Sequence, residues 1–369
     1  MLTKKKKVLF IGSFLATAKD GGVGGQMFAS KTIVNSSLNK TISWTLLDTT
    51  ARSNILSSNF VRIYKAFIRL VKFLYYILFF KFDYILIFVG DGWSFWEKGL
   101  MSIFGKYLSR AKIILAPRSG FLVNNINNTG KLRKFIKFVF NKVDIIICQS
   151  QYWKRLFEKL AYNQSKSKFV VIENMINFED YKGIKIREAS KNISATILFM
   201  AWVTRAKGIY ELIEAIKMLA QEGLKFKVII AGHGDEYETI RKSIDKSNLH
   251  NFVEMKGWVL GDEKHKILAE SDIFVLPTYF EGYPNSLVEA MAAGKACIAT
   301  KVGSIPDMID HKKTGLLIEK ESSKQLYESL SLLINNENLR KTISINARNK
   351  IQNTNTVESG ISKFKEIFN

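Results

Sequence analysis

Cysteine, proline and histidine are all scarce in these 369 residues, and each scarcity removes an option. The 2 cysteines, Cys148 and Cys297, cannot build a disulfide framework, and each sits in an apolar run (DIIICQS, KACIAT) that reads as a buried strand. The 4 prolines argue against long disordered linkers. All 4 histidines (His233, His250, His265, His311) lie in the second half, so the first half has none for acid–base work. There is no Asp-x-Asp and no His/Cys cluster at ligand spacing, so no metal site is expected. A clean apolar stretch of about 18 residues is missing too. The longest candidate, AFIRLVKFLYYILFFKFDYILIFVG (66–90), is interrupted by Arg69, Lys72, Lys81 and Asp83. It reads as an amphipathic helix up to about Phe80 followed by a buried strand. The start MLTKKKKVLFIGSFLA has the outline of an export signal, but its apolar run stops at Gly12-Ser13 and leads into a glycine-rich loop, so a cytoplasmic chain is expected.

Acidic residues are scarce in one half only. Residues 1–190 hold 31 Lys and Arg against 11 Asp and Glu, so nearly all of the net charge of +22 belongs to the N-terminal half. A one-sided positive field suits an anionic partner, a phospholipid surface or a nucleic acid. The helix-like KLRKFIKFVFNK (131–142) mixes cations with aromatics as 66–80 does, which favours a membrane surface. No nucleic-acid reading module or basic recognition helix is visible, so no nucleic-acid partner is expected.

What is present is a rhythm. Short apolar runs at 8–12, 43–47, 84–89, 113–116, 144–148 and 169–172 alternate with longer helical stretches, as in a parallel sheet covered on both faces. The rhythm resumes at 195–200, 226–232, 251–255, 272–277 and 296–300. Between the two series, 174–194 is polar and aperiodic and reads as a linker. The length suits two domains of about 150 to 190 residues. The expected class is therefore α/β, with two doubly wound Rossmann-like domains, one over 1–175 and one over 190–354.

Three motifs carry chemistry. Gly21-Gly22-Val23-Gly24-Gly25-Gln26 follows the first strand and opens a helical stretch, where backbone N–H groups can approach a diphosphate. In EGYPNSLVEAMAAG (281–294), Pro284 or Asn285 should start a helix, with Glu281 before it and Glu289 about one turn inside. Two carboxylates and an anion-friendly helix end then lie along one ligand, the acids for hydroxyls and the amides for phosphate. Arg205 and Lys207 stand at a strand-to-helix junction in FMAWVTRAKGIYELIEAI (199–216), where cations can meet phosphate oxygens.

Taken in order with AGHGDE (231–236), KVGSIPDMI (301–309) and TGLLI (314–318), these motifs resemble glycosyltransferase family 4, a group of retaining sugar transferases with the two-domain GT-B fold. The resemblance is strongest over about residues 195–320. It implies two domains facing across a cleft, the C-terminal one binding a nucleotide-sugar, and a helix over about 355–369 crossing back to the first domain. Carried over, Glu281 lies near the donor sugar and Glu289 holds the ribose. The stretch Gly282, Tyr283, Pro284, Asn285, Ser286 and Leu287 meets sugar hydroxyls or phosphates, and Lys207 contacts the diphosphate. Gly22, Gly24 and Gly25 match the family loop that closes over the phosphates, and Gly303-Ser304 with Pro306 match its nucleotide-side loop more weakly. Two departures stand out: Trp202 replaces an arginine common five residues before the lysine, with Arg205 nearby as substitute. The family's N-domain histidine is also missing, which turns attention to Arg118 and Ser119 on the acceptor side.

The implied activity is metal-independent transfer with retention, without a cofactor beyond the nucleotide-sugar. UDP-sugars are favoured as donor and GDP-mannose comes next. The expected acceptor is a lipid-linked saccharide in capsule, O-antigen or exopolysaccharide assembly. The chain is expected to work at the inner face of a bacterial plasma membrane, held there through its basic half. A nucleotide-sugar epimerase on the same fold is the competing enzyme class, and the lack of N-domain histidines counts against it.

Overall fold

The computed structural model describes residues 5–15, 25–50, 59–127, 130–161, 168–187 and 195–369. Contacts divide the chain into two compact units, Met1–Met175 with Val357–Asn369, and Ile176–Thr356. Each holds a six-stranded sheet in which all recorded pairings are parallel.

In the first unit the strands are β1 Lys6–Gly12, β2 Ile42–Asp48, β3 Tyr84–Val89, β4 Lys112–Pro117, β5 Ile145–Cys148 and β6 Lys168–Val171, in the order β2-β1-β3-β4-β5-β6. In the second they are β7 Ala195–Met200, β8 Phe226–Ala231, β9 Val253–Gly257, β10 Ile273–Leu276, β11 Ala296–Thr300 and β12 Leu316–Ile318, in the order β12-β11-β10-β7-β8-β9. Parallel strands need crossovers that cover both faces, so central strands are apolar on both. YILIFV and ATILFM are buried at every position. Alternation along the strands then supplies two cores in the second unit. Ile197, Phe199, Val228 and Val275 face one, and Leu198, Ile229, Phe274 and Leu276 face the other.

Register is set in part by aspartates just ahead of strands. Asp83, before β3, accepts the Lys7 N–H of β1 at 2.7 Å. Asp144, before β5, accepts the Ile113 N–H of β4 at 2.8 Å, and Asp272, before β10, accepts the Thr196 N–H of β7 at 2.7 Å. Each carboxylate closes the last open donor at the amino edge of the neighbouring strand, where no ladder partner is available.

The 174–194 segment is not a free connector in its described part. Ile176, Phe178 and Tyr181 are buried in the second unit's core, and the Ile176 N–H bonds to Asn355 O at 2.8 Å. The helix Val357–Phe368 belongs to the first unit, where Ile361, Phe364 and Phe368 pack with Val8, Phe10 and Tyr84. Both cysteines are buried and free, with burial pushing each thiol up. Among the described residues no helix is long and apolar enough to cross a membrane.

Asp272→Ala would leave the buried Thr196 N–H without its acceptor. We expect a loss of about 1–3 kcal/mol, read as a lower urea midpoint; an unchanged midpoint would remove the aspartate from the register argument.

Candidate functional site

Ligands of open parallel sheets sit beyond the carboxyl ends of the strands, where the strand order reverses and consecutive crossovers diverge to opposite faces. In the second unit that point falls between β7 and β10. The loops leaving these two strands carry Arg205 and Lys207 on one side and Glu281 on the other.

The two loops are laced together by backbone. The Tyr279 N–H donates to Ala206 O at 2.8 Å, and the Thr278 hydroxyl lies 3.0 Å from the same oxygen. Gly208, at φ +72°, lets them approach: a Cβ there would fall 1.9 Å from Pro277 O. Gly303, at φ +55°, does the same from the loop after β11, since its Cβ would meet Glu281 O at 1.9 Å. The weaker motif Gly303-Ser304 thus earns a structural role, backing the main chain of Glu281.

Lys207 Nζ is hydrogen-bonded to the Glu281 carboxylate, both side chains being largely withdrawn from water. Burial pushes the Glu281 carboxyl above its ordinary range, and the Lys207 ammonium pulls it part of the way back. An ammonium has three donors, so Lys207 can hold this carboxylate and still reach a phosphate oxygen. Arg205, in the same short turn (Arg205–Lys207), is exposed and lies over the Tyr210 ring at 5.1 Å. The structure brings Lys207 to Glu281 but leaves Arg205 on Tyr210.

The helix expected after Glu281 runs Asn285–Ala292, with Pro284 at its cap position. The first N–H groups of a helix have no partner within it, which gives Asn285, Ser286 and Leu287 an anion-facing main chain. The Leu287 side chain is fully buried in the core, so that residue can contribute only through its backbone. Gly282 is buried, and the Tyr283 hydroxyl accepts from Asn355 Nδ2 at 2.7 Å, which ties this loop to the end of the unit. Glu289 accepts from Lys264 Nζ at 2.9 Å and is hydrogen-bonded by the buried Tyr181, whose hydroxyl is pushed up by burial and then by this carboxylate. The sequence reading missed both partners. Tyr181 lay in the supposed linker, and Lys264 stands in none of the motifs read from the sequence. Trp202, where an arginine was looked for, packs edge to face on Trp258 at 4.6 Å.

In the first unit, Arg118 follows β4 and its guanidinium packs 4.2 Å from the Phe88 ring while Nη1 donates to Asn174 Oδ1 at 3.2 Å. Burial lowers its pKa to about 10, and its Nε and Nη2 are buried with no hydrogen-bond partner among the described residues. The Ser119 hydroxyl bonds to Asp91 Oδ1 at 3.1 Å. Gly22 and Gly24 lie outside the described residues; Gly25 opens the helix Gly25–Val34.

A carboxyl raised by burial binds protons more tightly folded than unfolded. Its contribution to stability is complete below the unfolded pKa and is lost as pH rises through the folded one. The stability difference between parent and Glu281→Gln should therefore shift against the parent as pH rises above the ordinary glutamate range, about pH 4, toward the raised folded value. Paired thermal melts measure it, and parallel pH curves would contradict the buried carboxyl.

Comparison with known proteins finds relatives of the second unit and of the fold. Residues 182–350 match the family model of glycosyl transferases group 1. An uncharacterised glycosyltransferase of Methanocaldococcus jannaschii is 34% identical over 60% of this chain and 59% of its own length. The capsular polysaccharide biosynthesis glycosyltransferase CapM of Staphylococcus aureus is 27% identical over 70% of each chain. The matched stretch spans about 60% of the length of the first of these relatives. Among solved structures, a sucrose-phosphate synthase of Thermosynechococcus elongatus superposes with TM-score 0.74 at 16% identity, over 99% of this chain and 98% of that one. HepE of Anabaena, solved with UDP and glucose, gives 0.70 at 16% identity over 98% and 99%. At such identities these two likenesses show the fold alone, two α/β units of the GT-B kind. The similarity to the glycosyl transferases group 1 thus lies over residues 182–350, the part of the chain that holds Lys207, Glu281 and Glu289.

Proposed function

We propose that this chain moves a sugar from a nucleotide-sugar, UDP-linked before GDP-mannose, onto a lipid-linked or saccharide acceptor in bacterial surface polysaccharide assembly, with retention of configuration. The observation that carries this reading is the Lys207–Glu281 pair beyond the carboxyl ends of β7 and β10, four residues ahead of the helix Asn285–Ala292. In this reading the donor diphosphate lies between Lys207 and that helix start, the sugar hydroxyls meet Glu281, and the ribose meets Glu289. The bond from the anomeric carbon to the diphosphate oxygen breaks, and the acceptor oxygen attacks from the same face. The acceptor proton passes to the leaving diphosphate. Such a step asks the protein for positioning and for positive charge where the leaving group gains negative charge, with no metal required.

Support for UDP comes from the Anabaena neighbour solved with it, and support for polysaccharide assembly from the name of the Staphylococcus relative. Arg118 is the acceptor-side candidate because two of its buried nitrogens lack partners among the described residues. The positive surplus of residues 1–190 supports peripheral attachment to the anionic inner face of the plasma membrane.

Release of UDP or GDP from a panel of nucleotide-sugars, in EDTA, with and without a polyprenyl-diphosphate-linked sugar, tests the reading. Acceptor-dependent release that survives EDTA is expected, and Lys207→Ala or Glu281→Gln should lower turnover roughly a hundredfold. Turnover within about threefold of the parent would contradict those roles, and silence across the panel with tight DNA or RNA binding would overturn the reading.

A further inference from the structure

We infer that the outer face of the helix Asn59–Phe79 is a lipid-docking surface that lies flat in the headgroup region of an anionic bilayer, an inference that rests on the membrane attachment proposed above. The helix is fastened to its unit along one side only. Phe73 is fully buried and meets the neighbouring helix Gly92–Leu108 at Gly105, where a Cβ would already lie 3.4 Å from its ring. Arg69 makes a two-pronged contact with Glu97 of that helix, 2.6 and 2.8 Å.

The side turned away from this anchor should be polar in a helix that faces only water. Instead Phe60, Tyr64, Phe67, Val71, Tyr75 and Leu78 recur at intervals of four, three, four, four and three residues, one continuous stripe. All six are exposed, Phe60 by 79% and Phe67 and Leu78 by 62% each. On the helix Gly92–Leu108, Trp93 and Tyr107 are exposed as well, by 79% and 64%. Contiguous exposed apolar surface of this kind marks an interaction site.

Charge selects the occupant. Lys65 and Lys72 border the stripe, Arg62 lies beyond them, and residues 59–80 contain no acid. Two copies of this face brought together would set cations against cations, whereas an anionic lipid surface neutralises them while taking up the rings. The aromatic rings have the amphipathic character found at the boundary of headgroups and acyl chains, and the long lysine stems let their ammonium groups reach phosphate from beside a buried stripe. Lying flat agrees with the absence of a spanning helix among the described residues.

The test is co-sedimentation of the full chain with vesicles of phosphatidylcholine alone or with added phosphatidylglycerol, beside light scattering and UDP release with a soluble acceptor. We expect binding that requires phosphatidylglycerol and weakens with salt. It should fall about tenfold or more in Phe67→Ser with Tyr75→Ser, and roughly fivefold for each of Lys65→Ala and Lys72→Ala. All these side chains are exposed, so melting temperature and UDP release should hold. Parent chain that ignores phosphatidylglycerol vesicles overturns both this surface and the membrane attachment. Binding that survives the double variant but is lost in Lys134→Ala with Lys137→Ala overturns the surface and leaves the attachment. A dimer of the parent that the double variant dissolves gives the stripe to a second copy and overturns the inference.

Discussion

The reversal of strand order between β7 and β10 is the constraint on which the candidate site depends. Right-handed crossovers on a parallel sheet send consecutive helices to one face until the order reverses, after which they go to the other. The loops leaving the two strands at that point have no helix between them, so they can meet. Here they do so backbone to backbone, through Gly208 against Pro277 and Tyr279 against Ala206. Lys207 and Glu281 are 74 residues apart in sequence, and this junction is what makes them a pair.

Burying that pair costs desolvation of both ions, and their attraction offsets it only when the geometry is good. A fold under no other demand could fill the place with apolar side chains at no loss. A buried ammonium–carboxylate pair that keeps spare donors and acceptors is better suited to receiving a polar, charged ligand than to stabilising the fold. Glu289, held by Lys264 and Tyr181, shows the same logic one turn into the following helix: its carboxylate is oriented by neighbours from other segments of its unit. The two units differ in electrostatic character as well. Nearly all of the positive surplus lies in the half that carries the exposed aromatic stripe, and the half with the paired carboxylates is close to neutral.

Much of the fold was legible because parallel strands buried on both faces announce themselves as unbroken apolar runs. The eleven runs read from the sequence coincide with β1 to β11, the edge strands β2, β6 and β9 being only partly buried, and the twelfth strand, Leu316–Ile318, was missed because three residues are too few to show a period. The start of the helix Asn285–Ala292 followed from Pro284, whose ring suits a helix entry and not its interior. The supposed linker was misjudged because Ile176, Phe178 and Tyr181 are spaced without period among polar residues, and only tertiary packing shows them buried. Contacts made between separate segments were equally out of reach: Lys264 with Glu289 and Gly303 under Glu281. Residue type and local spacing carry no information about which loops the sheet brings together.

The central claim is that the donor nucleotide binds at the carboxyl edge of the second unit, where the order reverses. Hydrogen exchange of the full chain with and without UDP measures this directly. The account predicts slowed exchange in 201–208 and 279–289, the loops that carry Lys207 and Glu281 and the helix start behind them. Protection confined to other segments, with these two unchanged, would contradict it.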